Sequence, residues 1–422
     1  MVPPGAGLPA VQPMPISKRP KTQRFATALL CGFLSVVSVG VTAAADNPPV
    51  CGETAGQAID ACNSPIERNP EDAGGAISRG LSDDSHHDDD RAIADLTEAI
   101  RRNPNHAAAF KDRGVAYAKK GDYDRAIADF TEAVRLNPKY AIAFNDRGVA
   151  YSRKRDYDRA IADLAEAIRL NPKYAVAFNS RGAAYARKGD YDRAIADYSE
   201  AIRLNPEYAT AFSNRGTAHS DKGDHDRAIA DFTEAIRLNP KQAATFNKRG
   251  LDYGHKRDYD RAIADYSEAI RLDPEYTTAF NNRARAYGHQ GDYDRAIADY
   301  SEVIRLDPDD ASAFNNRGVD HSNKRDYDRA LADYTEAIRL NPKSAFAFNN
   351  RGAAYADKGD YDRAIVNFTE AIRLDPKDAD VFRNRGLAYG HKGDYVRAIA
   401  DFTMTIKLDP MRVVRVACKF VC

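Results

Sequence analysis

The chain has 422 residues with 62 basic and 62 acidic side chains, so its formal net charge is zero. This balance argues against a nucleic acid or an anionic membrane as a partner held mainly by electrostatics. A charged fraction of 29%, an apolar fraction of 43% and the absence of tryptophan suit a well-solvated helical protein.

Residues 1–45 have the composition of a secretory signal peptide. Four basic residues precede an apolar stretch over 25–41, and three alanines at 43–45 form an A-x-A cleavage site. The segment therefore predicts a periplasmic or secreted bacterial protein with no membrane insertion after cleavage. The alternative is an uncleaved signal anchor in the inner membrane, because the apolar stretch approaches the length that spans a bilayer.

Four cysteines follow the predicted cleavage site. Cys51 and Cys62 are the candidate disulfide, since an oxidising compartment permits one. Two free thiols remain the alternative, because spacing alone does not fix connectivity. Both lie in residues 46–72, which we interpret as a partial N-terminal capping half-repeat. The other two, Cys418 and Cys422, lie in a short apolar C-terminal tail, 411–422.

Ten prolines recur at an interval of 34 residues. They are Pro104, Pro138, Pro172, Pro206, Pro240, Pro274, Pro308, Pro342, Pro376 and Pro410. A fixed period of this length indicates stacked supersecondary units rather than one globular core. Nine repeats fill 107–410, and 73–106 is a degenerate repeat whose first helix is weakened by glycines.

Each repeat is predicted to be two helices. In one repeat, Phe144, Gly148 and Tyr151 form a single helical stripe. Asp156 is then a candidate N-cap for the second helix, and Pro172 ends it because proline cannot continue the hydrogen-bond ladder. A lone hairpin buries too little apolar surface to fold, so neighbours must stack. The predicted class is an all-α solenoid of antiparallel hairpins.

At these positions the chain resembles the tetratricopeptide repeat family. The matching residues in one repeat are Phe178, Arg181, Gly182, Tyr185, Ala194, Tyr198, Ala201 and Pro206. The resemblance implies a right-handed superhelix whose first helices line a concave groove. It also implies that this groove binds an extended peptide or a helix of a partner protein.

Two departures from the family pattern need a physical account. Arginine replaces the usual leucine before the glycine, and aspartate precedes the central aromatic residue of the second helix. An unpaired charge beside a buried stripe is costly, so we expect each arginine to pair with an aspartate. Asn367 replaces one aspartate and can still accept a hydrogen bond from Arg351. The alternative is a solvated rim of charges.

A further departure from the family pattern is at the turn between the helices. Arg155, Arg257 and Arg325 stand where other repeats have glycine. A left-handed residue that is not glycine costs about 1–2 kcal/mol, so either these turns differ or these hairpins are weaker.

Asparagines form two columns on the face of the first helices opposite the buried stripe. One column is Asn145, Asn179, Asn247, Asn281, Asn315 and Asn349; the other is Asn214, Asn282, Asn316, Asn350 and Asn384. An amide offers both a donor and an acceptor, so a column can bind the backbone of an extended peptide. The second column resembles the asparagine ladder of the O-GlcNAc transferases. The alternative is a polar residue tolerated on a wet face.

A local group of cations lies on the same broad face. Lys248 and His255 in one repeat are followed by Arg285 and His289 in the next. Such a group could hold a carboxylate or another anion. The alternative is a solvated surface of mixed charge.

The sequence contains no phosphate-binding loop and no nucleophile elbow. A run of histidines and aspartates at 86–90 is interpreted as a solvated turn rather than a metal site. We therefore predict a non-catalytic scaffold without a cofactor, whose groove binds a protein or an extended peptide. The alternatives are a component of cell-wall or polysaccharide assembly, and a structural protein that self-associates through its C-terminal tail.

Overall fold

The computed structural model describes residues 89–410, and this part of the chain contains nineteen α-helices and no strand. The predicted signal peptide, the partial cap, the Cys51–Cys62 pair, the first helix of the degenerate repeat and the tail at 411–422 lie outside the described residues. The helices alternate as first and second members of hairpins, as the repeat pattern predicts.

The described chain divides into two compact units, an N-terminal unit, residues 89–188, and a C-terminal unit, residues 189–410. The N-terminal unit contains α1 Asp89–Arg102, α2 Ala107–Lys119, α3 Tyr123–Leu136, α4 Ala141–Arg153, α5 Tyr157–Leu170 and α6 Ala175–Lys188. The C-terminal unit begins with α7 Tyr191–Leu204, α8 Ala209–Asp221, α9 His225–Leu238, α10 Ala243–His255, α11 Tyr259–Leu272, α12 Thr277–Gln290 and α13 Tyr293–Leu306. It continues with α14 Ala311–Asn323, α15 Tyr327–Leu340, α16 Ala345–Asp357, α17 Tyr361–Leu374, α18 Ala379–His391 and α19 Tyr395–Leu408.

Local sequence sets where the second helices begin and end. The side chain of Asp258 accepts a hydrogen bond from the backbone N–H of Arg261 and so caps α11. The helix ends at Leu272, and the extended backbone of Asp273 after it (φ −138°, ψ 93°) is the conformation that a following proline imposes. The same capping and ending recur in the other second helices from α3 onwards.

The turn inside each hairpin requires one left-handed residue. Gly291 supplies it after α12 with a φ of 79°. Arg155, Arg257 and Arg325 adopt the same conformation, with φ values of 65°, 62° and 62°. The three arginine turns therefore do not differ from the glycine turns, and these hairpins carry the cost of a left-handed side chain.

Most hairpins close through a glycine that faces an aromatic ring. A Cβ added at Gly250 in α10 would lie 2.7 Å from Cε1 of Tyr266 in α11, so the two helices approach each other only without a side chain there. The same ring packs with Ala286 of the next repeat. Gly250 and Ala286 thus allow helices of two adjacent repeats to pack closely against the same buried tyrosine ring.

None of the helices in residues 89–410 is long and apolar enough to span a bilayer.

Candidate functional site

The arginine that departs from the family pattern joins three helices. Arg249 in α10 donates from Nε and Nη2 to the two carboxylate oxygens of Asp265 in α11, each at 2.8 Å. Its Nη1 donates to Oγ1 of Thr233 in α9, which belongs to the preceding repeat, at 3.0 Å. The hydrogen bonds to the carboxylate raise the pKa of Arg249. We call this arrangement the arginine triad.

The arginine–aspartate contact recurs through both units, which confirms the predicted pairing. The pairs are Arg113–Asp129, Arg147–Asp163, Arg215–Asp231, Arg249–Asp265, Arg283–Asp299, Arg317–Asp333 and Arg385–Asp401. Both partners are largely shielded from solvent, so these contacts are more than a solvated rim. The triad thus joins the two helices of a hairpin to each other and to the preceding repeat.

One triad lacks its carboxylate. Arg351 Nε donates to Oδ1 of Asn367 at 2.8 Å, as the sequence predicts. Without a charged partner, burial lowers the pKa of Arg351. The amide nitrogen of Asn367 donates to the carbonyl oxygen of Arg363 at 2.8 Å, so it is oriented with its oxygen towards the guanidinium.

The two asparagine columns meet across repeats in the C-terminal unit. Nδ2 of Asn282 donates to Oδ1 of Asn247 at 2.9 Å. The same contact joins Asn350 to Asn315 and Asn384 to Asn349, each at 3.1 Å. Asn247 is buried, whereas the partly exposed members are Asn214, Asn281, Asn282, Asn315, Asn316, Asn349, Asn350 and Asn384. We call this side of α8, α10, α12, α14, α16 and α18 the amide face.

In the N-terminal unit the predicted amides are less accessible. Asn145 and Asn179 are buried at 4% and 2% exposure. Asn145 donates from Nδ2 to Oδ1 of Asp146 at 3.1 Å. Burial raises the pKa of Asp146 to about 6, although the hydrogen bond from Asn145 opposes that rise. These two amides therefore serve the packing of the unit.

Three of the four predicted basic side chains are near enough for the charge of Arg285 to act on both histidines. Arg285 is exposed. The pKa values of His255 and His289 are lowered mainly by burial, and the charge of Arg285 contributes to both shifts. Lys248 is engaged elsewhere, because its Nζ donates to Oγ1 of Thr217 at 3.2 Å. Burial lowers the pKa of Lys248.

Both imidazoles are held by stacking on the preceding repeat. The ring of His255 lies 4.7 Å from that of His225, and the ring of His289 lies 5.0 Å from that of Tyr259. The interplanar angles are 11° and 12°. Stacking therefore restricts the orientation of both imidazole rings.

Sequence reasoning missed two buried carboxylates. Asp252 and Asp320 stand where other repeats have alanine, and they are 1% and 6% exposed. Asp252 Oδ1 lies 2.8 Å from the Ser220 hydroxyl and 2.7 Å from Nδ1 of His225. Burial raises the pKa of Asp320 to about 7. The sequence does contain a signal for them, because an acidic residue stands at a position that is alanine in all the other repeats of 107–410.

No group of three or more histidine, cysteine, aspartate or glutamate side chains within residues 89–410 is arranged to hold a metal ion. Most of the run at 86–90 lies outside that range.

Models of the tetratricopeptide repeat match successive parts of the chain. The matched segments are 79–141, 111–175, 164–196, 184–223, 209–242, 247–311, 311–344, 333–366 and 352–393. The chain belongs to the tetratricopeptide repeat family. A comparison with curated proteins finds no match.

Several solved structures of this family are similar to the chain. A tetratricopeptide repeat protein from Parabacteroides merdae is 20% identical, with 59% of this chain and 98% of that chain covered and a TM-score of 0.45. Yeast Tom70 is 18% identical, with 87% and 91% covered and a TM-score of 0.40. YrrB, described as having an unusual peptide-binding site, is 23% identical, with 44% and 95% covered and a TM-score of 0.38.

Proposed function

We propose that this tetratricopeptide repeat protein is a non-catalytic scaffold whose amide face binds a protein or an extended peptide. The observation that carries the proposal is the series of partly exposed amides on four successive first helices of the C-terminal unit, α12, α14, α16 and α18. They recur at the repeat interval, so an extended ligand crossing these helices meets the same chemistry at each step.

The contacts between amides leave hydrogen-bonding capacity for a ligand. A carboxamide has two N–H donors and an oxygen with two lone pairs. In the bond between Asn282 and Asn247, Asn282 uses one donor and keeps its second N–H and its oxygen. A peptide backbone presents alternating donors and acceptors, which such side chains can match without reading the sequence of the ligand. Specificity then comes from side chains beside the amides.

The test uses the full chain on an array of immobilised random 12-residue peptides. Asn281→Ala combined with Asn316→Ala removes two amides of the face. It leaves the Asn282–Asn247 and Asn350–Asn315 bonds in place but removes the hydrogen bonds of Asn316 with Asn315 and Tyr300. Because a neutral hydrogen bond contributes about 1 kcal/mol, we expect the double variant to lose at least about fivefold of the bound signal.

The matched control is Asn105→Ala, which removes an amide from an exposed loop of the N-terminal unit. It should bind as the wild type does, and the binding of each variant is compared well below its own thermal midpoint. Wild-type protein that binds no peptide, or a double variant that binds as well as the wild type, would contradict the proposal.

We also propose that the protein is exported, because residues 1–45 have the composition of a signal peptide. Mass spectrometry of the protein from its native cell should find Asp46 as the first residue. An N-terminus that retains residues 25–41 would support the signal anchor instead.

The two alternatives from the sequence remain predictions. A polysaccharide ligand would need aromatic rings on the amide face, where Phe346 is 61% exposed three residues before Asn349. Self-association through residues 411–422 concerns a segment outside the described residues.

A further inference from the structure

Two stacked imidazoles join the fourth repeat, residues 209–242, to the fifth repeat, residues 243–276. His225 begins α9 and His255 ends α10. Their rings lie 4.7 Å apart with an interplanar angle of 11°. Tyrosine stands at the position of His225 in the eight other repeats of 107–410. This interface therefore brings two titratable rings face to face where a tyrosine would carry no charge near neutral pH.

Two further histidine stacks in residues 89–410 contain one imidazole each. His289 lies on Tyr259 at 5.0 Å, and His391 lies on Tyr361 at 4.8 Å. A protonated imidazole above a tyrosine ring is attracted by the negative face of that ring. A proton therefore strengthens these two contacts, whereas protons on both members of a histidine pair place like charges against each other.

A buried carboxylate holds one imidazole of the pair in place. Asp252 in α10 is 1% exposed, and its Oδ1 lies 2.7 Å from Nδ1 of His225. The same oxygen accepts from the Ser220 hydroxyl in α8 at 2.8 Å. An imidazolium at His225 makes a charge-assisted hydrogen bond to this carboxylate. The pair can consequently hold one proton without repulsion.

A second proton on the pair meets repulsion. Even with the full screening of bulk water, two unit charges 4.7 Å apart repel by enough to shift an equilibrium about fourfold. The pKa of His255 is lowered, mainly by burial and next by the charge of His225. The folded protein thus binds this proton less tightly than the unfolded chain does. The associated stability is complete above about pH 6.5 and is lost as the pH falls.

The other charged groups around the pair do not cancel this repulsion. Arg285 in α12 adds to the lowering of the pKa of His255, and Asp252 opposes it. Asp226 in α9 is already bound by Nζ of Lys256. Because the pKa of His255 is lowered with all these charges present, its protonation remains unfavourable in the closed stack.

We propose that the stack of His225 on His255 is an acid-sensitive joint between the fourth and fifth repeats. The joint is closed while the pair holds at most one proton, and it opens when both imidazoles are protonated. Opening separates the C-terminal end of α10 from the start of α9. Acid therefore loosens the array at one interface and leaves the other hairpins packed. This behaviour belongs to the free protein and does not depend on a bound ligand.

Hydrogen exchange of the full chain at pH 8 and pH 5, corrected for the intrinsic pH dependence of exchange, tests the joint. Low ionic strength is used because salt screens the repulsion. The reporting amides are those of residues 252–258, where the N–H of Lys256 donates to the carbonyl oxygen of Asp252 at 3.1 Å. We expect opening there to increase about fourfold at pH 5. The matched segment 286–292, which contains His289, should show no such increase.

Two variants distinguish the joint from the burial of His255 alone. His255→Asn removes the second charge, and asparagine is the residue at this position in the seventh repeat, as Asn323. His225→Tyr combined with Asp252→Ala keeps His255 and gives it a tyrosine partner. Tyrosine and alanine are the residues at these positions in both adjacent repeats, so the change is compatible with the fold. Both variants should abolish the increase at residues 252–258.

The outcomes decide whether the repulsion between the two imidazoles opens the joint. An increase in the wild type that is lost in both variants supports it. No increase in the wild type refutes it. An increase that persists in the combined variant would assign the response to burial of His255 alone. An increase that persists in His255→Asn would assign it to another group, and either persistence overturns the proposal.

Discussion

At the scale of single residues, the arginine triad shows how a charge is accommodated where the family usually has leucine. The guanidinium of Arg317 meets both oxygens of Asp333, at 2.7 and 2.9 Å, and the hydroxyl of Ser301 at 3.0 Å. The Ser301 hydroxyl itself donates to the carbonyl oxygen of Ile297 at 2.7 Å. Each polar group in the triad thus has a partner, which is the condition under which partly buried charge is tolerated.

The triad with Asn367 tests whether the carboxylate stabilises the partly buried arginine. Asn367→Asp restores the carboxylate opposite Arg351, and we expect it to stabilise the protein by about 1 kcal/mol in urea unfolding. Asp333→Asn makes the reverse change in the preceding repeat and should destabilise by a similar amount. A destabilising Asn367→Asp would show that desolvation of the pair outweighs its attraction.

Asp320 makes folding depend on pH. Burial raises its pKa to about 7, so the folded protein binds this proton more tightly than the unfolded chain does. The stability that the proton provides is complete below about pH 4 and is lost as the pH rises towards 7. Tyr300 and Tyr334 are the titratable groups near this carboxyl, and Gly288 lies against it.

Asp320→Ala should therefore stabilise the protein, and more so at high pH. Alanine is the residue at this position in the adjacent repeats, as Ala286 and Ala354. From the raised pKa we expect the gain at pH 8 to exceed that at pH 5 by about 2–3 kcal/mol in urea unfolding. A gain that is equal at the two pH values would mean that Asp320 titrates normally in the folded protein.

At the scale of helices, the hairpins depend on the close approach of a glycine to a ring. A Cβ at Gly318 in α14 would lie 2.7 Å from Cε1 of Tyr334 in α15. Ala284 stands at the same position beside Tyr300, so one repeat accommodates a methyl group. A larger side chain has no space on this face.

Gly318→Leu should consequently cost about 3 kcal/mol, because an overpacked contact forces the helices apart. Gly390→Leu is the matched control, since no atom lies within 4 Å of a Cβ at Gly390 in α18. Leucine is the better helix former, so the control should stabilise by about 0.5–1 kcal/mol in the same urea measurement. Equal effects of the two substitutions would contradict the packing argument.

At the scale of the whole molecule, periodicity explains what the sequence could and could not predict. The arginine–aspartate pairs follow from one repeat, because both residues flank the stripe that the hairpin buries. The hydrogen bond between Asn247 and Asn282 cannot be predicted from one repeat. The two residues are one period and one residue apart, so they meet only when neighbouring hairpins pack together.

Stacking also predicts how stability varies along the C-terminal unit. In the inner repeats the isoleucine equivalent to Ile399 packs against a neighbour, as Ile263 does beside Tyr266 and Ala286. In α19, Ile399 is 65% exposed and Val396 is 81% exposed. Since repeat arrays gain stability from interfaces between neighbours, hydrogen exchange should be fastest in residues 379–408. Slower exchange there than in 311–374 would show that another segment covers α19.

The geometry of the triad has a consequence for how such a gene can change. Arg249 reaches sixteen residues forward to Asp265 and sixteen residues back to Thr233. One inserted or deleted codon between these partners shifts a side chain by about 100° around its helix and separates them. Duplication of a complete 34-residue segment preserves the sixteen-residue spacing between the partners of every triad. Recombination between repeats can therefore lengthen or shorten the array, whereas small insertions within a helix are eliminated.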